Sequence, residues 1–297
     1  MNLKNYVVNF FIIITLSLFI TGCNATEDIA DDSSKEAEVE RGLMALDKEN
    51  YDSAAEIFES LKKKYPSDNS LKTYHSNALA GSAGLDTYRL MKTIDRLNDE
   101  NSDDSIEIAG RTLTGAEQGS DPVLTTEEIA DKTDKFEKAM TSILEIAGTD
   151  YDSLTGSKAP ASRSIQAVSL EDLDLSKFTD DELIQLGLMS FNHVVLVISD
   201  ILTEVAGSDN IILTKDGFIT LYNNNITTAD IDILLSKLSL DMEFINNAVT
   251  AIENFLDIQA GETNDISEEF EKFRNELDQN NDKTITENEL ETYLNNL

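Results

Sequence analysis

The segment from residue 183 to 206 is the most apolar part of the body, interrupted by Asn192, His193 and Asp200. It opens on Thr179-Asp180-Asp181-Glu182 and closes at Gly207. A threonine followed three residues later by glutamate predicts a capping box, because the hydroxyl takes one free N–H and the carboxylate returns the contact. A helix apolar on all sides must be enclosed on all sides, by protein or by lipid. The three polar interruptions argue against a membrane span, so the rest of the chain must wrap a buried central helix. This requirement predicts an all-α fold, a helical bundle or short superhelical array.

Other segments agree. Thr126-Glu127-Glu128-Ile129 opens an amphipathic stretch with Ile129, Phe136, Met140, Ile143 and Leu144 on related faces, ending at Gly148. His193 lies inside the central helix and His75 inside another, where each reads as a structural histidine with satisfied nitrogens rather than a ligand or base. Residues 101–123 and 149–169 are rich in Ser, Thr, Gly and Asp and read as exposed loops. At 211–222, Asp216-Gly217 between β-rich flanks signals one small β-hairpin. The same residues also mimic the middle of a calcium loop over 212–223, but Ile212 and Asn223 stand where its first and last ligands belong.

The 297 residues carry 23 Lys+Arg against 57 Asp+Glu, a net charge of −34. Such a surface repels nucleic acid and anionic lipid and attracts divalent cations. Only two histidines occur, and no serine–histidine–aspartate set, cysteine nucleophile, phosphate-cradling glycine loop or zinc spacing is visible. The expectation is a non-enzymatic protein with no nucleic-acid partner.

Residues 1–23 combine Lys4, an apolar run from Val7 to Ile20 and the sequence Ile20-Thr21-Gly22-Cys23. The apolar run is shorter than the roughly 20 residues a bilayer needs and reads as an export signal. The segment resembles the signal of bacterial lipoproteins, and Cys23 is the sole cysteine. The resemblance implies cleavage before Cys23 and acylation of its thiol, hence a membrane anchor. Acyl chains hold a protein at a bilayer at about 0.8 kcal/mol per buried methylene. In Gram-negative families an aspartate after the cysteine marks inner-membrane retention; Asn24 here favours the outer membrane, facing the periplasm.

Residues 35–68 place Gly42, Ala54, Phe58 and Pro66 at spacings of 12, 4 and 8, with Tyr51 at a turn between two helices. This resembles one tetratricopeptide repeat. A second repeat would need small and aromatic residues where the chain has Ser76, Tyr88 and Lys92, so the likeness covers one unit and a following helix over 71–97. In that family the units bind peptides or partner proteins, which implies an envelope protein partner.

From Asp278 the chain reads D-x-N-x-D-K-T-I-T-x-x-E. Calcium takes six to eight oxygens, and a twelve-residue loop between two helices supplies them. The ligands would be Asp278, Asn280, Asp282, the Thr284 carbonyl, Thr286 through water and bidentate Glu289, with Ile285 in the apolar eighth position that normally pairs with a neighbouring loop. This is the EF-hand pattern, with Phe270, Phe273 and Leu277 before it and Leu290, Tyr293 and Leu294 after it as apolar faces. It departs at Lys283, where glycine is expected because φ is positive; a side chain there costs about 1–2 kcal/mol. An asparagine-rich helix–turn–helix without metal is the alternative.

The organisation expected is a lipoprotein signal over 1–22, an acidic tether over 23–36, a tetratricopeptide-like unit over 37–100, an acidic loop over 101–123, a central helical region over 124–262 and an EF-hand over 263–297. The function expected is a calcium-binding, membrane-anchored scaffold or protein-interaction lipoprotein of the cell envelope. The alternative is an accessory lipoprotein of a periplasmic transporter, with residues 183–206 lining a solute pocket.

Overall fold

A computed structural model of the chain describes residues 34–85, 105–117, 119–155, 173–222, 231–255 and 265–297. Cys23 with its signal, most of the tether, Tyr88 and Lys92, residues 156–169 and Asn223 lie outside the described residues. Residues 34–38 fall in an N-terminal unit, Met1–Glu38; everything below concerns the compact unit Val39–Leu297.

The described residues form eleven α-helices and one two-stranded sheet. Helices α1 (Lys35–Asp47), α2 (Tyr51–Lys64) and α3 (Asn69–Ser82) come first. They share a small core of Ala54, Phe58, Leu61, Leu71 and Ala78. Gly42 of α1 lies under the Phe58 ring of α2, the close approach that the 42/54/58 spacing anticipates. Helix α3 then leans on the main bundle through polar contacts: His75 Nδ1 lies 2.6 Å from Ser142 Oγ, and Lys72 Nζ donates to the Glu145 carbonyl.

The main core is built on α7 (Asp180–Ala206) and α9 (Ile231–Phe255), with α5 (Thr126–Leu144) packed across α7. The expected capping box is present on α7: the Thr179 hydroxyl accepts from the Glu182 N–H, and Glu182 Oε2 accepts from the Thr179 N–H at 2.8 Å. The helix ends on Gly207 in the left-handed conformation. Asn192, His193 and nearly every apolar side chain between 186 and 202 are buried. Enclosure by protein therefore answers the demand made by the apolar segment.

Helices α7 and α9 approach closely at Gly187. A Cβ there would lie 2.1 Å from the Ala248 Cβ, well inside van der Waals contact. Gly187→Ala gains about 1 kcal/mol of helix propensity, but overpacking of a close crossing costs about 1–3 kcal/mol. A net loss of about 1–2 kcal/mol is expected as a lowered urea midpoint, with recovery in Gly187→Ala/Ala248→Gly.

Two expectations are corrected. The stretch 101–123 holds a helix, α4 (Ser105–Thr114), whose Ile106, Ile108, Ala109 and Leu113 are buried. Its two threonine hydroxyls do not need solvent, because Thr112 and Thr114 donate to the carbonyls of Ile108 and Gly110, each at 2.8 Å. Likewise, Asp216-Gly217 is no hairpin turn. The Thr214 hydroxyl accepts from the Gly217 N–H and caps α8 (Lys215–Leu221), so the dipeptide sits in a first helical turn. The strand before it, β2 (Asn210–Ile212), pairs antiparallel with the distant β1 (Val123–Thr125), with Val123 opposite Ile212 and Thr125 opposite Asn210. A small two-stranded sheet is present, built from segments far apart in the chain. Short α6 (Tyr151–Thr155) occupies the start of the other expected loop, 149–169.

Candidate metal centre

The chain ends in a helix–loop–helix, α10 (Asp265–Leu277) and α11 (Glu287–Asn296). Its apolar faces belong to the main core. Phe270 and Phe273 of α10 lie 5.3 and 5.2 Å, centroid to centroid, from Phe191 of α7, and Tyr293 packs edge-on against Phe273. The faces expected at 270, 273, 277, 290, 293 and 294 are all buried.

The loop folds around its own carboxylates. Asp278, 2% exposed, accepts from the Asp282 N–H at 3.2 Å and from the Lys283 N–H at 2.9 Å. Asn280 Oδ1 accepts from the Asp282 N–H at 2.8 Å, and Asp282 Oδ1 from the Thr284 N–H at 2.9 Å. These bonds draw the first three expected ligands into one turn. Lys283 adopts φ +67°, the left-handed conformation the pattern assigns to glycine, and Asn281 adopts φ +57°. The Lys283 ammonium turns toward α9 and lies 3.1 Å from Glu243 Oε2.

The last ligand is held differently. Thr286 caps α11, and its N–H and hydroxyl both donate to Glu289 Oε2, at 3.0 and 2.7 Å. Glu289 is buried, and its other oxygen, Oε1, has no hydrogen-bond partner. A buried carboxylate oxygen without a donor carries a desolvation cost that a cation can relieve. This orphaned oxygen and the oxygen donors near it have the chemistry a hard divalent ion takes, but they are not gathered around one point. Asp278, Asp282 and Glu289 do not converge: among the described residues no group of three carboxylate, imidazole or thiolate side chains is placed to hold a metal. Bidentate coordination by Glu289 would take Oε2 from Thr286 and give up a cap worth about 1 kcal/mol. The eighth-position residue, Ile285, donates its N–H to Ser239 Oγ of α9 at 2.8 Å instead of to another loop.

A second polar set lies in the core. His193 of α7 is fully buried, with Nδ1 2.6 Å from Asp241 Oδ2 of α9 and Nε2 3.4 Å from Glu137 Oε1 of α5. The Tyr151 hydroxyl donates to Asp241 Oδ1 at 3.1 Å, and Lys237 Nζ lies 2.6 Å from Glu137 Oε1. Burial alone would lower the His193 pKa, but Asp241 and Glu137 outweigh it and hold it up at about 9. Burial would raise Glu137, but His193 and Lys237 pull it down to about 2. Burial lifts Asp241 above the ordinary carboxylate range, while His193 and the Tyr151 hydroxyl draw it back. His193 therefore stays protonated and ties four helices together. His193, Asp241 and Tyr151 are all at 0% exposure, whereas Glu137 and Lys237 reach the surface in part. His75 is the opposite case: burial and the nearby Lys62 lower its pKa to about 4, so it is neutral.

The sequence marked both histidines as structural but offered no partners for them. An acidic residue such as Asp241 inside an otherwise apolar helical run was the signal that could have found the His193 pair. An open cleft of about 540 Å³ lies beside β2 and α8, lined by residues including Glu107, Asp121, Asn210, Ile212 and Asp216. Helix α7 contributes nothing to its lining.

No protein-family model, curated protein or solved structure matches this chain.

Proposed function

We propose that this chain is an exported, lipid-anchored envelope protein of scaffolding or protein-interaction type, whose C-terminal EF-hand-like loop binds calcium. The observation that carries the calcium reading is Glu289: buried at the twelfth loop position, with one oxygen in a helix cap and the other without a partner. Support also comes from the turn that gathers Asp278, Asn280 and Asp282 and from the left-handed Lys283, which matches the one backbone demand the motif makes. Calcium would be held by these three residues, Thr284 through its carbonyl, Thr286 and Glu289. What the ion supplies is charge neutralisation and cross-linking of the loop, with no part in a reaction.

Titration calorimetry tests the reading. A saturable calcium heat with a dissociation constant of about 10⁻⁵ to 10⁻³ M is expected, the weak extracellular class. The absence of heat up to several millimolar calcium sinks it. The competing cap on Glu289 and the positive Lys283 both argue for the weak end. Residues 186–199 and 201–203 are buried in the bundle and line no cleft among the described residues, so no observation favours the solute-pocket alternative.

The anchor rests on the position of the lone Cys23 after Thr21-Gly22. Cys23→Ser is expected to accumulate as an uncleaved precursor that takes up no labelled fatty acid. A serine variant that is still processed and still labelled contradicts it.

A further inference from the structure

The loop and α10 meet α9 at Ser239, Glu243 and Asn246, spaced by four and three, which puts them on one helix face. Ser239 receives the Ile285 N–H while its own hydroxyl donates to the Leu235 carbonyl at 2.8 Å, so it is fixed as an acceptor. Glu243 receives the Lys283 ammonium, and Asn246 Oδ1 accepts from Arg274 Nη1. Ile285 itself is 2% exposed. This polar stripe occupies the side of the loop where the motif normally meets a second loop. We propose that α9 is the calcium loop's pairing partner within the same chain, so that calcium binding and docking of the loop on the Ser239/Glu243 face are one coupled equilibrium.

Electrostatics gives the direction of the coupling. Residues 277–297 contain five acids, Asp278, Asp282, Glu287, Glu289 and Glu291, against the single cation Lys283. Docking brings this acidic segment against the buried Glu243, a contact that the Lys283 ammonium offsets in part. A divalent ion that draws Asp278, Asp282 and Glu289 together removes most of the remaining repulsion and favours the docked loop. Because linkage is reciprocal, the docked face must then raise calcium affinity by the same factor. The packing of Phe270, Phe273 and Tyr293 does not depend on charge, so the coupling is confined to the loop and leaves the helices in place.

This inference rests on the calcium reading, and its test separates the two. Calorimetry and amide hydrogen exchange are run on the full-length chain in mild detergent, with calcium and with EGTA. In the parent protein, calcium should slow exchange of the Ile285 and Lys283 amides about tenfold or more, with α7 unchanged. Ser239→Ala removes the acceptor and should weaken calcium about five- to tenfold and abolish the added protection at Ile285; Ser239→Thr, which keeps the hydroxyl, should recover most of the affinity. Glu243→Gln, a near-isosteric change, should alter the dissociation constant about threefold or more and flatten its salt dependence. If the parent binds calcium while Ser239→Ala and Glu243→Gln both keep its dissociation constant within twofold, the coupling is wrong and the calcium site stands. If the parent gives no calcium heat, the underlying reading has failed first.

Discussion

Asp241→Ala should cost the fold about 3–5 kcal/mol, because removing one member of a buried ion pair strands the other. His193 would keep Glu137, 3.4 Å away, as an anionic neighbour, and the Tyr151 hydroxyl would lose its acceptor at 3.1 Å, with the Lys237 carbonyl left at 3.5 Å. Urea denaturation near pH 6.5 is the measurement, and a loss under about 1 kcal/mol would mean the cluster holds little. Replacing both partners, as in His193→Leu/Asp241→Leu, should recover much of the loss, since apolar residues of similar volume carry no desolvation cost.

The same groups set a pH profile. The His193 pKa is raised from 6.5 to about 9 on folding, so its stabilisation is complete below pH 6.5 and is lost as pH rises through 9. The Glu137 pKa is lowered from 4.5 to about 2, so its contribution is complete above pH 4.5 and is lost as pH falls through 2. The His75 pKa is lowered from 6.5 to about 4, so protonation favours the unfolded chain and stability drops as pH falls from 6.5 through 4. The melting temperature should therefore peak near pH 6 to 7 and decline on both sides. In Asp241→Ala the alkaline decline should be much shallower, because the imidazolium support is already gone.

Glu289→Gln should abolish the calcium heat altogether. The neutral amide removes the charge of the twelfth position and half of any bidentate clamp, in a loop with only three carboxylate ligands. The fold should survive, because the glutamine oxygen can still accept from the Thr286 N–H and keep α11 capped. A melting temperature close to the parent's, with no calcium response, is the expected pair of results; calcium heat equal to the parent's would remove Glu289 from the site. Lys283→Gly offers the opposite sign. It relieves the left-handed strain of about 1–2 kcal/mol, deletes a cation near the ion, and also breaks the contact with Glu243. The first two effects outweigh the lost docking contact, so tighter calcium binding is expected in the same titration.

What could be read from the chain was what is local. Capping at Thr179 and Glu182, the stop at Gly207 and the apolar faces around the terminal loop depend on neighbours within a few residues, and each appears in the structure. What could not be read was pairing at a distance. His193 meets Asp241 48 residues later, and Lys283 meets Glu243 40 residues earlier, through helix crossings that no local pattern encodes. Helix α4 was hidden because its serines and threonines look like loop composition, although Ile106, Ala109 and Leu113 already had helical spacing. At 214–217 the threonine cap outweighed the Asp-Gly turn signal, since a hydroxyl accepting the Gly217 N–H starts a helix as readily as a turn.

The β1–β2 ribbon has a colloidal consequence. Its Val123–Ile212 cross-strand pair leaves both side chains at the surface, 45% and 37% exposed, on strands of only three residues. Edge strands this short offer another copy little backbone to pair with, so what the ribbon presents is a small apolar patch. The net charge of −34 opposes such an encounter at long range. That opposition is screened within about 8 Å at physiological ionic strength, and a divalent cation weakens it further. Copies of this protein would thus be kept apart by charge in dilute salt and approach one another more closely as the salt rises.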